Sequence, residues 1–233
     1  KSEAEAKAKS EVEAKAKAEA KNPNAIVLGS NTTAPKAPDQ KGFVNKSKPG
    51  ITVASEQYSL HVDANEAYRG GYYVEALKKY LKLVDIWCTG CSVGIIDQTN
   101  YRLGYMYVTG QGTEVDYDKA KNYLINASNS QDIEISSLSN SLLGLVYINK
   151  NDYTNAVKWL KPAADQGVAQ AQYNLGAMYY NGTGITQSYS EAAKWIILAA
   201  DQGHLKAQEM LDDQNIKKEI KLEWIKSLKS IET

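Results

Sequence analysis

Residues 169–203 read AQAQYNLGAMYYNGTGITQSYSEAAKWIILAADQG, and this stretch decides the fold. Leu175, Met178 and Tyr179 stand at positions i, i+3 and i+4, which places them on one face of a helix. A pair of glycines then interrupts the helical pattern at Gly182-x-Gly184. The first half of the stretch therefore predicts an amphipathic helix that ends in a glycine loop.

The second half of the stretch predicts another helix, which starts near Ser190. Small residues and one tryptophan recur in it at helical spacing, at Ala192, Trp195, Ala199 and Ala200. Gly203 follows where a left-handed cap is needed. Because small residues let two helices approach closely, the stretch predicts a tightly packed helical hairpin.

The same frame recurs along the chain. A Tyr-x-x-Ala element appears four times in steps of 44, 36 and 36 residues, at Tyr73/Ala76, Tyr117/Ala120, Tyr153/Ala156 and Tyr189/Ala192. A Leu-Gly pair accompanies it at Leu103-Gly104, Leu143-Gly144 and Leu175-Gly176. The third unit lacks the Gly-x-Gly loop and has a tight turn at residues 149–152 instead, and four residues are inserted around 132–136. A period in the mid-thirties predicts stacked helical units, which usually bind proteins and rarely catalyse reactions.

The LGxMY…G-x-G…A-x-x-W…AAxQGxxxAQ pattern of units two to four resembles the Sel1-like repeat family, a relative of the tetratricopeptide repeat. The first unit, at residues 67–80, is closer to a plain tetratricopeptide repeat. The resemblance covers roughly residues 58–212. It implies an all-α fold, a right-handed α-solenoid of about four stacked helical hairpins, and no particular reaction.

Composition divides the chain into four segments. Residues 1–21 alternate Ala with Lys or Glu, and residues 22–57 hold four of the five prolines. We interpret the first as a solvated helix or tether, with a stalk as the alternative, and the second as a linker. The repeat domain spans 58–213. Residues 214–233 form an amphipathic helix that either caps the last hairpin or lies on an anionic membrane; we favour the cap, which stabilises the end of a repeat array.

Charge and hydropathy restrict the partners. The chain carries 27 basic and 27 acidic residues, but residues 58–213 hold 12 Lys/Arg against 17 Asp/Glu, a net of −5. An acidic repeat domain disfavours nucleic acid as a partner. The sequence contains no run of 18 apolar residues and therefore predicts no membrane span. The chain starts at Lys1, so we expect a processed form that has lost a signal peptide or a membrane anchor.

Few residues point to chemistry. The two histidines, His61 and His204, stand apart, and no metal-binding, phosphate-binding or nucleophile motif is present, so we expect no catalytic residue, metal or cofactor. Cys88 and Cys91 form a Cys-x-x-Cys pair that favours a local disulfide over free thiols or a redox or metal role. A disulfide would imply an oxidising compartment, and we expect a periplasmic or exported bacterial envelope protein.

The partner is expected on the concave face, which the first helix of each pair lines in tetratricopeptide-like arrays. Leu142, Leu145 and Ile148 form an apolar centre, or pack against neighbouring units instead. The polar and aromatic residues predicted to contact a protein or peptide are Glu66, Arg69, Tyr101, Arg102, Tyr105, Tyr173, Asn174 and Tyr180.

Three functions remain open from the sequence. The first is a non-enzymatic protein-interaction scaffold of the envelope. The second is an immunity-type inhibitor of a secreted toxin, such as a lipase or hydrolase, a role that some periplasmic Sel1-like proteins play. The third is a small-ligand or cell-wall binder or enzyme.

Overall fold

A computed structural model describes residues 53–86 and 93–229 of the chain. This part of the chain contains helices and turns but no strand, which confirms the all-α solenoid prediction. The helices are α1 (Val53–Arg69), α2 (Tyr73–Asp85), α3 (Val93–Thr109), α4 (Tyr117–Ser128), α5 (Ile133–Asn149), α6 (Tyr153–Asp165), α7 (Ala169–Asn181), α8 (Tyr189–Asp201), α9 (Leu205–Met210) and α10 (Gln214–Lys229). The predicted tether 1–21 and residues 22–52 of the predicted linker lie outside the described residues, whereas residues 53–57 of that linker are helical.

Helices α1 to α8 form four hairpins of consecutive helices. Within each hairpin the two helices pack together, and the second helix packs on the first helix of the next hairpin. The first helices of successive hairpins, α1, α3, α5 and α7, also contact one another and form an inner layer. This layer explains why ten consecutive residues of α3, from Thr99 to Val108, are buried.

The Leu-Gly pairs mark where the two helices of a hairpin approach most closely. A Cβ atom added at Gly104 would lie 2.4 Å from Cγ of Leu124 on α4, and one at Gly144 would lie 2.4 Å from Cγ of Leu160 on α6. Both leucines are fully buried. The glycine therefore leaves room for the leucine four residues after each Tyr-x-x-Ala alanine.

Each Gly-x-Gly loop connects the two helices of its own hairpin and packs against the preceding hairpin. A Cβ atom at Gly112 would lie 2.5 Å from the carbonyl carbon and oxygen of Tyr73, and one at Gly184 would lie 2.5 Å from the carbonyl carbon of Tyr153. Each loop thus rests on the first turn of the second helix in the preceding hairpin. Both loops therefore pack on the backbone of a Tyr-x-x-Ala tyrosine, Tyr73 or Tyr153, in the hairpin before.

The third hairpin replaces the glycine loop with the tight turn predicted from the sequence. Asn151 adopts a left-handed conformation with φ of 59°, and the Asp152 carboxylate accepts the N–H of Asn155 at 3.2 Å to cap α6. Lys150 in this turn forms an ion pair with Asp118 of the preceding hairpin at 2.5 Å. A charged contact therefore links the two hairpins at this turn.

The Ala-Gln element of the repeat ties α7 and α9 each to the helix before it. The Gln172 side-chain amide donates to the carbonyl oxygen of Ala164 at 3.1 Å, and Gln208 donates to the carbonyl oxygen of Ala200 at 3.3 Å. The two bonds are 36 residues apart, which is one repeat. Gln172 is buried and also accepts a hydrogen bond from Gln202 at 2.7 Å.

We expect Gln172→Met to lower the free energy of unfolding by about 1–2 kcal/mol, because it removes two hydrogen bonds at a buried position while preserving side-chain length. Gln208→Met is the matched control, since Gln208 is exposed and its bond is longer. Urea denaturation followed by circular dichroism measures both. Equal losses in the two variants would contradict this role of the buried amide.

Helix α10 covers the last hairpin, as predicted for a cap. Ile216 is fully buried in a cluster with Ile196 and Ala199 of α8, and Ile220 packs against the same cluster. The other residues of the predicted apolar stripe lie outside the described side chains; they are Trp224, Leu228 and Ile231. The described part of α10 therefore completes the core of the fourth hairpin.

Candidate functional site

The inner layer carries a cluster of three tyrosines and one arginine near its N-terminal end, which we call the tyrosine–arginine cluster: Tyr68, Tyr101, Arg102 and Tyr105. The guanidinium carbon of Arg102 lies 5.0 Å from the ring centre of Tyr68 and 5.8 Å from that of Tyr101. The Tyr101 and Tyr105 ring centres are 6.5 Å apart. The structure therefore brings together three of the predicted binding residues with one, Tyr68, that the prediction omitted.

All four members of the tyrosine–arginine cluster are buried. This differs from the expectation that Tyr101, Arg102 and Tyr105 face an open groove. The physical reason is the contact between successive first helices, which places these side chains against α1 and α5 rather than solvent. A partner reaches them only when this packing opens, and their role in binding stays a prediction.

A loop residue closes the tyrosine–arginine cluster. The Tyr68 hydroxyl donates to Oε1 of Gln111 at 2.7 Å, and Gln111 is the central residue of the Gly110-x-Gly112 loop. Burial raises the pKa of Tyr68 and of Tyr101 well above the ordinary value, so both hydroxyls keep their protons at physiological pH. The cluster therefore carries the single positive charge of Arg102.

A second aromatic site lies near the C-terminal end of the inner layer, and we call it the tyrosine–histidine site: Gln170, Tyr173, Asn174 and His204. The Tyr173 and His204 rings stack with their centres 4.6 Å apart. The His204 ring also faces Oε1 of Gln170 at 3.2 Å, and Gln170 donates to Oδ1 of Asn174 at 3.0 Å. Tyr173 and His204 are half-buried, so their rings remain open to a partner.

His204 has a structural role as well. Its Nδ1 atom accepts the backbone N–H of Ala207 at 3.2 Å and caps α9, so Nε2 carries the proton in the neutral ring. Burial lowers the pKa of His204, and Lys206 adds to this shift. Asn174, in contrast, is fully buried, and its Oδ1 atom holds Gln170 in place by accepting its hydrogen bond.

The remaining predicted residues lie elsewhere. The Tyr180 hydroxyl donates to the carboxylate of Asp213 at 3.0 Å and accepts from Asn215 at 3.2 Å, which anchors the start of α10. Glu66 and Arg69 are exposed in the last turns of α1. The predicted disulfide lies outside the described residues, because both Cys88 and Cys91 fall in the gap between α2 and α3.

A further concave surface lies on the third hairpin, away from the predicted binding residues. It is a groove of about 780 Å³ between the first turns of α5 and the outer side of α6, and its lining includes Ile133, Val157, Lys158 and Lys161. Ile133 is two-thirds exposed there. The groove mixes apolar and basic side chains, but nothing in the sequence singled it out.

The described residues show few groups that could support chemistry. Within residues 53–86 and 93–229, no three His, Cys, Asp or Glu side chains lie close enough to hold a metal ion. In the same part of the chain, no helix is both long and apolar enough to cross a membrane. What the inner layer does offer is aromatic faces, amides and one guanidinium, which suit non-covalent binding.

Comparison with known proteins agrees with this geometry. Three segments match the Sel1 repeat family, at residues 98–132, 141–168 and 169–204. A Sel1 repeat protein of known structure from Oxalobacter formigenes is 27% identical with a TM-score of 0.50, over 63% of this chain and 57% of that one. Another, c5321, a protective antigen of uropathogenic Escherichia coli strains with an SLR fold, is 30% identical with a TM-score of 0.44, over 52% of this chain and 28% of that one. No curated protein matches the chain in sequence.

The matched segments correspond to the second, third and fourth hairpins, where the Leu-Gly contacts and inner layer are found. These three segments of the chain are therefore Sel1 repeats. Sel1-repeat proteins are generally protein-interaction scaffolds without catalytic activity. The first hairpin and helices α9 and α10 lie outside the matched segments. The chain spans little more than half of the Oxalobacter protein and less than a third of the other.

Proposed function

We propose that this chain is a non-catalytic scaffold that binds a protein segment on its inner layer, with the tyrosine–histidine site as the accessible contact. The observation that carries the proposal is the stacked pair of half-buried rings, Tyr173 on His204, supported by the amides of Gln170 and Asn174. Tyrosine contributes strongly at protein interfaces because one side chain supplies both apolar area and a hydrogen-bonding hydroxyl. Burial raises the pKa of Tyr173, so this hydroxyl stays protonated and can donate.

The rigid support of this site also favours binding. His204 is held by the α9 cap and Tyr173 by the ring stack, so neither side chain loses much freedom when a partner docks. A preorganised aromatic surface binds more tightly than a mobile one of equal area. The inner layer therefore has the properties of a protein-binding surface at this end.

Tyr173→Ala is expected to weaken partner binding at least tenfold, the size of an interface hot spot. The full chain serves as bait for affinity capture from extracts of its own cells, and the captured protein is then titrated in purified form. Tyr72→Ala is the matched control, since Tyr72 is 68% exposed in the turn between α1 and α2. If circular dichroism shows that both variants are folded and Tyr173→Ala binds as well as the native chain, the assignment of this site to partner binding is wrong.

The finer aspects of the proposal rest on the sequence. We place the protein in the bacterial envelope or outside the cell, because a Cys88-x-x-Cys91 pair suits an oxidising compartment. Thiol labelling of protein from separated cell fractions tests this, since a disulfide protects both cysteines from alkylation in the envelope fraction. Inhibition of a secreted toxin remains the alternative role, and a toxin-like lipase or hydrolase encoded beside this gene would favour it.

A further inference from the structure

The first hairpin departs from the other three at the point where its helices approach most closely. In the second and third hairpins, a glycine of the first helix packs on a buried leucine of the second. At the corresponding places the first hairpin has Asn65 on α1 and Tyr80 on α2, and the Tyr80 hydroxyl donates to Oδ1 of Asn65 at 2.7 Å. Both side chains are buried. An apolar contact is thus replaced by a hydrogen bond inside the core.

This hydrogen bond continues to a buried histidine. Because Oδ1 of Asn65 accepts from Tyr80, its amide nitrogen points the other way and donates to Nε2 of His61 at 2.9 Å. Nε2 must therefore be unprotonated, and the neutral ring carries its proton on Nδ1. Burial raises the pKa of Tyr80 to about 12, so its hydroxyl remains a donor and keeps this direction.

The surroundings oppose a charged His61 ring. His61 is 3% exposed. The groups that act on it are Asn65 on its own helix, which is bonded in turn to Tyr80 on α2, and Gln98 and Arg102 on α3. Of these described residues only Arg102 is charged, and its charge is positive. Burial is the main cause that lowers the pKa of His61, and Arg102 lowers it further, against a rise from Gln98.

Protonation of Nε2 would also reverse the hydrogen-bond chain. Two N–H groups would then face each other across 2.9 Å, unless the Asn65 amide turned over. A reversed amide would offer Tyr80 an N–H in place of its acceptor and leave the hydroxyl proton without one. Either arrangement adds an unsatisfied buried polar group to that of His61 Nδ1, which already has no hydrogen-bond partner, and each such group is costly in a packed core.

We propose that His61 is an acid-sensitive latch, whose protonation loosens the packing of α1 on α2 and α3 and so exposes the tyrosine–arginine cluster. The connection runs through Arg102, whose positive charge opposes a charged His61 and whose guanidinium group stacks over Tyr68 of α1. Opening of the hairpin is a property of the fold alone. That the exposed cluster then adds to partner binding rests on the proposed function.

The sign of the pH effect follows from linkage. The open state has a histidine with an ordinary pKa near 6.5, whereas the closed state has a lowered one. The open state therefore binds more protons below about pH 6.5, and the closed state loses stability as the pH falls. A single group of this kind changes the opening equilibrium by up to about tenfold between pH 7.5 and 5.5.

Amide hydrogen exchange of the full chain tests the latch, because the chain has only two histidines and each can be removed separately. After correction for intrinsic exchange rates, protection of α1 and α2 should fall by up to about tenfold from pH 7.5 to 5.5 in the native chain and in His204→Gln. It should change little in His61→Gln, which keeps an acceptor for Asn65. An equal fall in His61→Gln, or none in His204→Gln, would overturn the proposal.

A second variant, Asn65→Asp, tests the proposal even where His61→Gln does not fold. Asn65→Asp keeps the shape but gives the Tyr80 hydroxyl and a protonated His61 ring a shared carboxylate acceptor, which favours the charged ring. Protection of α1 should then rise rather than fall as the pH decreases, and a fall like that of the native chain would contradict the latch. Partner titration at both pH values is read separately: tighter binding at pH 5.5 in the native chain but not in His61→Gln supports the link to function. Failure to bind at either pH rejects the proposed function and leaves the exchange result intact.

Discussion

Gly112→Ala is expected to lower the free energy of unfolding by about 3 kcal/mol, through two effects that add. The new Cβ atom would lie 2.5 Å from the carbonyl carbon and oxygen of Tyr73 and 2.8 Å from the backbone nitrogen of Val74. These are backbone atoms in the first turn of α2, so no side-chain rotation relieves the overlap, and overpacking costs about 1–3 kcal/mol. Gly112 also has φ of +74°, which costs a residue with a Cβ atom about 1–2 kcal/mol.

Gly167→Ala separates these two effects. Gly167 has a similar φ of +87°, but a Cβ atom there meets nothing within 4 Å, so only the conformational cost of about 1 kcal/mol remains. Urea denaturation measures both losses, and limited proteolysis should show the Gly112 variant opening first at the junction of the first two hairpins. Similar losses from both substitutions would mean that the loop does not hold the preceding hairpin.

The fold of the second to fourth hairpins could be predicted because the residues that determine it recur at fixed spacing. Leu103-Gly104 and Leu143-Gly144 indicate the same close approach between the two helices of a hairpin. In each pair the glycine contacts a leucine four residues after the Tyr-x-x-Ala alanine. Such a contact tolerates little variation, since a side chain in place of glycine overlaps its partner. The pattern is therefore visible in one sequence without any structure.

The candidate site could be predicted only in part, because burial of the inner layer depends on how closely successive hairpins stack. The spacing of Tyr101 and Tyr105 predicts that both lie on one helix, α3, but it carries no information on the contact between α3 and α5. Tyr173 lies farther along the same layer and is only partly buried. Repeat spacing thus assigns a residue to a layer but does not determine its exposure.

The hydrogen-bond chain of His61, Asn65 and Tyr80 was not predicted from the sequence, although the sequence contains a signal for it. In the first unit, Asn65 stands where the other units have glycine, and Tyr80 stands where two of them have leucine. Read as a pair, these two exchanges indicate a polar contact in place of an apolar one. His61, four residues before Asn65 on the same helix, is then within reach of its amide.

Leu160→Ala is expected to lower the free energy of unfolding by about 2–5 kcal/mol, because it removes a fully buried side chain that packs against Gly144. Gly144→Ala alone should cost about 1–3 kcal/mol from overlap with Leu160, partly offset by the better helix propensity of alanine. When both changes are combined, the new methyl group enters the space that the leucine left. The double variant should therefore lose at least about 1 kcal/mol less than the two single losses together.

The matched control combines Gly144→Ala with Ile196→Ala. Ile196 is the buried partner of Gly176 in the fourth hairpin, so its removal creates a cavity that the Gly144 methyl group cannot fill. These two losses should add within about 0.5 kcal/mol, as they do for separated sites. If both pairs proved additive, the glycine–leucine contact would not set the distance between the helices of a hairpin. Coupling confined to Gly144 and Leu160 would show that this spacing is specified locally, one hairpin at a time, which lets turns vary in length while the helix register of the array is preserved.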